Sequence, residues 1–253
     1  MQITHEGAGD DTLCGWGERQ KAAYFFENAE VIIPHRRAQL ALLADLLPWP
    51  PERPLRVLDL GAGFGAVTEQ IMARYPHASF VCVDGSEEMI ELARSHLAQY
   101  GERVRLMHRD MAVASWCEGM GTGFDAAVSA LAIHHLTDER KRALCAELFA
   151  LLAPGGIFLN DEAVAAPPAL KERFDALALR EIQSQERALR GLTRPLEEIR
   201  AELNERLRAA TRHSHIAAVE PQLEWLRAAG FEAVDCYWRF LSLAIFGGIK
   251  PAV

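Results

Sequence analysis

The chain has 253 residues, half of them hydrophobic, which is enough to bury one sizeable core and favours a single elaborated α/β domain over two independent ones. Lys and Arg total 27 against 35 Asp and Glu, and the formal charge of −8 repels polyanions, so neither nucleic acid nor a membrane surface is expected as the main partner. The five cysteines (Cys14, Cys82, Cys117, Cys145, Cys236) contain no CxxC pair, the first residues carry no basic-then-apolar leader, and no run approaches the roughly 18 to 20 apolar residues of a membrane span, so a soluble cytoplasmic protein is expected.

Residues 1–15 are polar and glycine-rich. From 15 to 47 the pattern is helical, with the aromatic cluster Tyr24, Phe25 and Phe26 followed by Leu40, Leu43, Leu46 and Leu47 at helix spacing. Four prolines between 48 and 54 end that segment in a turn. Short apolar runs then alternate with helical stretches, which is the pattern of βαβ units and a parallel sheet. Strands are expected at 55–60, 79–83, 104–108, 124–130 and 157–160, with helices at 66–75, 87–99 and 138–152. Residues 111–123 read as a loop.

Beyond Pro167 the composition shifts to Leu, Ala, Glu and Arg as far as about Arg212, and two helices broken near 191–195 fit it. That is too much chain for an ordinary connection, so it reads as a helical insertion after the fifth strand. It serves either to roof the sheet or to form a homodimer. A short helix at 222–229 and two β-rich runs at 232–240 and 241–246 close the chain, and their short link calls for antiparallel pairing. The expected fold is therefore α/β and Rossmann-like. It has a doubly wound, mostly parallel sheet, an N-terminal helical segment over residues 1–50, a cofactor-binding core over 51–162, an insertion over 163–219 and a C-terminal helix and hairpin over 220–253.

The chemistry-bearing signal is the run from Val57 to Gly65, VLDLGAGFG. An apolar strand ends in Asp59, and Gly61, Ala62, Gly63 and Gly65 form a turn through which backbone can approach a ligand closely. Gly61, Gly63 and Ala66 also satisfy a dinucleotide fingerprint, so glycine spacing alone leaves the cofactor open. Asp84 closes the second strand about 20 residues on, where an acid suits a ribose diol. Because Ser86 reads as a helix N-cap, a helix-start acid is the alternative to ribose binding, which is the favoured reading of Asp84.

Three landmarks (Asp59 in VLDLGAGFG, Asp84 in VDGSEEMIELAR and Asp110 in HRDM) resemble motifs I to III of the class I S-adenosylmethionine-dependent methyltransferases. FDAAVSALAIHHL and LLAPGGIFL are similar to that family's fourth- and fifth-strand landmarks. The closing EPQLEWLRAAGFEAVDCYWRFLSLAIFGG resembles a branch holding small-molecule enzymes and the carboxy-S-adenosylmethionine synthase of tRNA wobble modification. The resemblance implies S-adenosylmethionine as cofactor, with Asp59 and Gly61 near the methionine amine and Asp84 on the ribose with room left by Gly85. It also implies Met89 against the adenine, Asp110 and the Met111 amide on the adenine edge, and the Ala130 carbonyl beside the methionine.

The acceptor is expected at the strand ends, and the resemblance implies a small molecule there. His134 and His135 after the fourth strand are the candidate catalytic pair. Asp161, Glu162, Trp16, Tyr24, Phe25, Arg36 and Arg180 are candidate acceptor contacts, with His213 and His215 beside them; a lone HxH lacks further metal ligands, and no metal is expected. Two rival readings are carried. A nicotinamide-dependent oxidoreductase lacks a Tyr-x-x-x-Lys or comparable proton donor after the sheet. A carboxy-S-adenosylmethionine synthase-like or tRNA-modifying enzyme needs, respectively, an arginine above the sulfonium (Arg180 or Arg208) or a basic face.

Overall fold

The computed structural model describes residues 19–211 and 214–252; Trp16 and His213 lie outside them. In chain order the elements are α1 (Arg19–Ile32), α2 (Arg36–Asp45), β1 (Arg56–Leu60), α3 (Ala66–Arg74), β2 (Ser79–Asp84), α4 (Glu87–His96), β3 (Val104–His108), β4 (Phe124–Ala130), α5 (Asp138–Leu151), β5 (Leu152–Ala163), α6 (Lys171–Arg190), α7 (Leu196–Thr211), α8 (Val219–Ala229), β6 (Glu232–Phe240) and β7 (Leu243–Ile249). The sheet runs β3-β2-β1-β4-β5-β7-β6. Its first five strands are parallel, and β7 pairs antiparallel with both β5 and β6. The order reverses between β1 and β4, which opens the ligand crevice at their carboxyl ends.

Strand alternation divides the core in two. On one face Leu58, Leu60, Phe158 and Phe246 pack under α5 and α8. On the other, Val57, Phe80, Val128 and Leu159 pack under α2 and α3. The central strands are buried on both sides, as parallel strands with helices on each face must be. The proline-rich turn after α2 is fixed by the Tyr75 hydroxyl, which donates to the carbonyls of Leu47 and Trp49 at 2.8 and 3.1 Å.

The structure corrects several boundaries. The N-terminal segment is two helices: Pro34 cannot continue the α1 hydrogen-bond ladder, and His35 turns the chain in the left-handed region at φ 59°. β5 begins at Leu152 rather than 157, reaching back through the Pro154-Gly155-Gly156 turn with a register shift against β4. β7 starts two residues later than expected and runs on to Ile249. The 111–123 loop contains a 3-10 turn that buries Trp116 completely, its indole N–H donating to Glu147 at 2.6 Å.

The insertion forms α6 and α7, which fold back on α1. Val31, Leu179, Ile182 and Ile199 make a small separate apolar core between the three helices. Side chains far apart in sequence tie them together. The Gln185 amide donates to the carbonyls of Val31 and Ile33 at 3.0 Å, and its oxygen accepts from the His35 N–H at 2.6 Å. Arg194 forks onto the buried Glu186 at 2.6 Å and reaches Glu202, which also accepts from the Tyr24 hydroxyl at 3.1 Å. This three-helix unit meets the glycine turn through Phe25 and Phe26, whose rings lie 6.2 and 4.8 Å from that of Phe64.

Candidate functional site

The glycine turn occupies the mouth of the crevice. Gly61 adopts a positive φ, and a Cβ there would collide with the Ala132 methyl beyond β4, so only glycine lets the two strand ends come this close. Gly63, also at positive φ, is open on its Cβ side, with the Met89 sulfur about 4.0 Å from where a Cβ would stand. The Gly63 N–H donates to Asp84 Oδ2 and the Ser86 N–H to Oδ1, each at 2.8 Å. The Asp84 carboxylate is thus held between the turn and the start of α4, with lone pairs left over for a diol. Burial pushes its pKa up, and the two N–H donors pull it back.

Asp59 lies wholly inside the sheet. Its Oδ2 accepts from the Thr68 hydroxyl at 2.7 Å, while Oδ1 has no hydrogen-bond partner among the described residues. Burial raises its pKa to about 7, against the help of Thr68. Met89 is buried, and Ser86 caps the helix by accepting from its N–H. Asp110 ties its own loop together by accepting from Ala112 N–H at 2.8 Å. The Met111 carbonyl is taken by Arg140 at 2.6 Å, and Gly85 packs beside the Arg109 carbonyl and Asp110.

On the acceptor side, the positive φ of Leu131 turns the chain after Ala130, and its N–H donates to the Asp161 carbonyl at 2.8 Å. His134 and Glu162 then form a locked pair. Glu162, fully buried, accepts from the His134 N–H at 2.9 Å through Oε2, and pairs with His134 Nδ1 at 2.6 Å through Oε1. The His135 ring lies 4.0 Å from that of His134. The chain leaving α7 returns here, because His215 N–H donates to the His134 carbonyl at 2.7 Å and the buried Lys141 reaches the His215 carbonyl. No cluster of three metal-ligating side chains occurs among the described residues.

Arg36 is buried beside the turn, its guanidinium 5.6 and 5.9 Å from the ring centres of Phe25 and Phe64. Tyr24 is committed to Glu202 in the cap that α1, α6 and α7 form. Arg180 is exposed on α6. Sequence reasoning did not single out Thr68, Gln39, Gln185 or the Glu186–Arg194 pair. Thr68, three residues past Gly65, was the one with a local signal, since a hydroxyl inside a helix start points back at the strand it follows.

Comparison with known proteins agrees with this geometry. Residues 57–156 match the family model described as a methyltransferase domain. Over that stretch the chain is similar to methyltransferases. Over 203 residues the chain is 25% identical to a release factor glutamine methyltransferase of Caulobacter vibrioides, the match covering 67% of this chain and 68% of that protein. It is 36% identical over 115 residues to a trans-aconitate 2-methyltransferase of Delftia acidovorans, covering 45% of this chain and 40% of that one. The fold superposes on human N-acetylserotonin methyltransferase in complex with S-adenosylmethionine with a TM-score of 0.58 and 17% identity, over 93% of this chain and 57% of that chain. The domain thus spans only part of the length of several relatives. No helix among the described residues is long and apolar enough to cross a membrane.

Proposed function

We propose that the protein transfers the methyl group of S-adenosylmethionine to a small-molecule acceptor. The observation that carries the cofactor assignment is Asp84, oriented by the Gly63 and Ser86 N–H groups at the edge of a turn whose Gly63 side is open. The partnerless Asp59 Oδ1 is a second point of fit, because an ammonium would satisfy it. Bound S-adenosylmethionine supplies a methyl already activated by its sulfonium. The protein's share of the work is then to orient two reactants and exclude water. Asp84 holds the ribose hydroxyls, Gly61 and Ala130 border the methionine end, and Asp110 and Met111 face the adenine edge.

His134 is the group suited to take a proton from the acceptor. Its Nδ1 hydrogen is held by Glu162, so Nε2 is the basic nitrogen, and Glu162 acts as a positioning residue that stabilises the charged ring. His135, its ring tilted 44° against that of His134, is a second candidate. A small acceptor is the reading favoured over a protein segment because α1, α6 and α7 pack as one unit that meets the glycine turn at Phe25 and Phe26, where a roof over the crevice would stand. The relative acting on trans-aconitate makes small carboxylic acids the first acceptors to try.

The test is calorimetry with S-adenosylhomocysteine and NADP, followed by mass detection of methylated product from a panel of small acids, phenols and amines. Binding of S-adenosylhomocysteine but not NADP, with transfer to a small acceptor that drops at least about a hundredfold in His134→Ala, is expected. Binding of NADP alone would overturn the assignment.

A further inference from the structure

The loop that follows β3 is pinned from outside itself, by α5. Arg140 commits its whole guanidinium to two partners. Its Nε donates to the Met111 carbonyl at 2.6 Å, and its two Nη groups fork onto Glu147 at 2.9 and 2.6 Å. The Glu147 carboxylate also accepts from the indole N–H of the fully buried Trp116 at 2.6 Å. The Arg140 side chain is only 12% exposed, so solvent screens the network little. One helix thus grips the loop both at Met111 and at Trp116.

The grip at Met111 reaches further than the carbonyl it touches. A peptide group is planar, so fixing its C=O fixes its N–H. The N–H across the plane from the Met111 carbonyl is that of Ala112, and it donates to Asp110 Oδ1 at 2.8 Å. The Asp110 carboxylate is thereby oriented by a peptide that Arg140 holds, while its Oδ2 makes no hydrogen bond with a described residue. The Met111 side chain meets the glycine turn as well, its methyl 3.6 Å from where a Gly61 Cβ would stand. Arginine suits this post because its planar fork takes a carboxylate with one edge while a further N–H reaches a carbonyl. A lysine ammonium is a point charge without that fork.

We propose that Arg140, braced by Glu147 and Trp116, is a positioning residue that holds Asp110 and the Met111 N–H against the base of the cofactor and thereby selects adenine over a 6-oxopurine. The inference rests on the S-adenosylmethionine reading and deepens it. A 6-amino group donates to the Asp110 carboxylate, whereas a 6-oxo group sets oxygen against oxygen. The neighbouring ring nitrogen is an acceptor in adenine and an N–H in hypoxanthine, so the Met111 N–H makes the same choice. That discrimination lasts only while the acid and the N–H keep their places.

The test is calorimetry of S-adenosylhomocysteine and S-inosylhomocysteine with wild type and Arg140→Met, with folding checked by circular dichroism. Wild type is expected to prefer the adenine compound by at least about tenfold. In Arg140→Met the affinity for S-adenosylhomocysteine falls about three- to tenfold, that for S-inosylhomocysteine changes little, and the preference narrows. Arg140→Lys, which keeps a cation beside Glu147, narrows the preference in the same direction and serves should Arg140→Met not fold. Because Arg140 acts through Asp110, Arg140→Met adds little on an Asp110→Ala background. A merely structural role would lower the melting temperature and leave the preference intact. An unchanged preference in a folded variant, or equal wild-type affinity for the two compounds, overturns the role of Arg140 and leaves the cofactor reading standing; failure of wild type to bind either compound overturns both.

Discussion

In the floor of the crevice, hydrogen bonds join residues that one βαβ unit already brings together: Thr68 to Asp59 nine positions apart, and Gly63 to Asp84 twenty-one apart. In the cap, the corresponding links cross most of the chain, with His35 bonded to Gln185 at a separation of 150 and Tyr24 to Glu202 at 178. The floor is also backed by two large apolar cores, whereas the cap has its own core of four buried side chains. Stability is therefore expected to be uneven, with the cap opening at lower free energy than the sheet. That suits the roof proposed for the crevice, which must admit and release reactants.

The largest effect that would test this difference is Arg194→Ala. It leaves the buried Glu186 carboxylate without its cation and should cost the cap roughly 3 kcal/mol, near the lower limit for breaking a buried pair. Hydrogen exchange should accelerate in α6 and α7 while β1 and β4 keep their protection. Equal acceleration in the sheet would mean that cap and floor are one cooperative unit.

Asp84→Asn probes the floor. Weakening of S-adenosylhomocysteine binding by about 1.5 to 3 kcal/mol is expected from losing a charged acceptor. The urea midpoint should move little, because one amide oxygen still accepts from Gly63 or Ser86. Asp84→Ala would also release both N–H groups, so its effect would mix binding with folding. Normal affinity in the Asn variant would reduce Asp84 to a helix-start acid.

Gln185→Leu comes next. Removing the side chain that caps the end of α1 and holds His35 in its left-handed turn should cost about 1 to 2 kcal/mol. The change should show as faster exchange in α1 with the rest unaltered.

How far each region could be read from the sequence follows the same division. The strand–turn–helix of Val57 to Ala66, the acid at Asp84 and the capping Ser86 are local patterns, and they stand where expected. The hairpin was legible too, because its short link forced antiparallel pairing. Pro34 was a local breaker set within a helical pattern, and periodicity hid it. Glu186, Arg194 and Gln185 read as ordinary polar positions on amphipathic helices; only the way α6 and α7 fold against α1 gives them partners. Arg36 and Glu162 were picked for their chemistry, but their burial, and the pairing of Glu162 with His134, depend on contacts that no short window contains.

The last test is a slope. Asp59 and Asp161 are raised to about 7 and about 8, so the folded protein keeps protons that the unfolded chain gives up near pH 4. The stability they lend is complete below that value and lost as pH rises through 7 to 8. The ligand-free protein should melt at falling temperature between about pH 4 and 8 and level off above, and Asp161→Asn should flatten that fall. A variant as steep as wild type would place the titration elsewhere.

Asp161 and Glu162 are neighbours in the chain yet serve opposite sides of one strand, since successive β5 side chains alternate. Asp161 belongs with Arg36 and the α2 face; Glu162 belongs with His134 on the α5 face. For anyone redesigning which acceptor is accepted, this is a natural partition. Position 161 faces α2 and position 162 holds the histidine in place, so the two can be varied independently. A single-residue insertion or deletion just upstream would exchange the two roles at a stroke. Libraries built here should therefore randomise residues by parity and leave the length of the strand untouched.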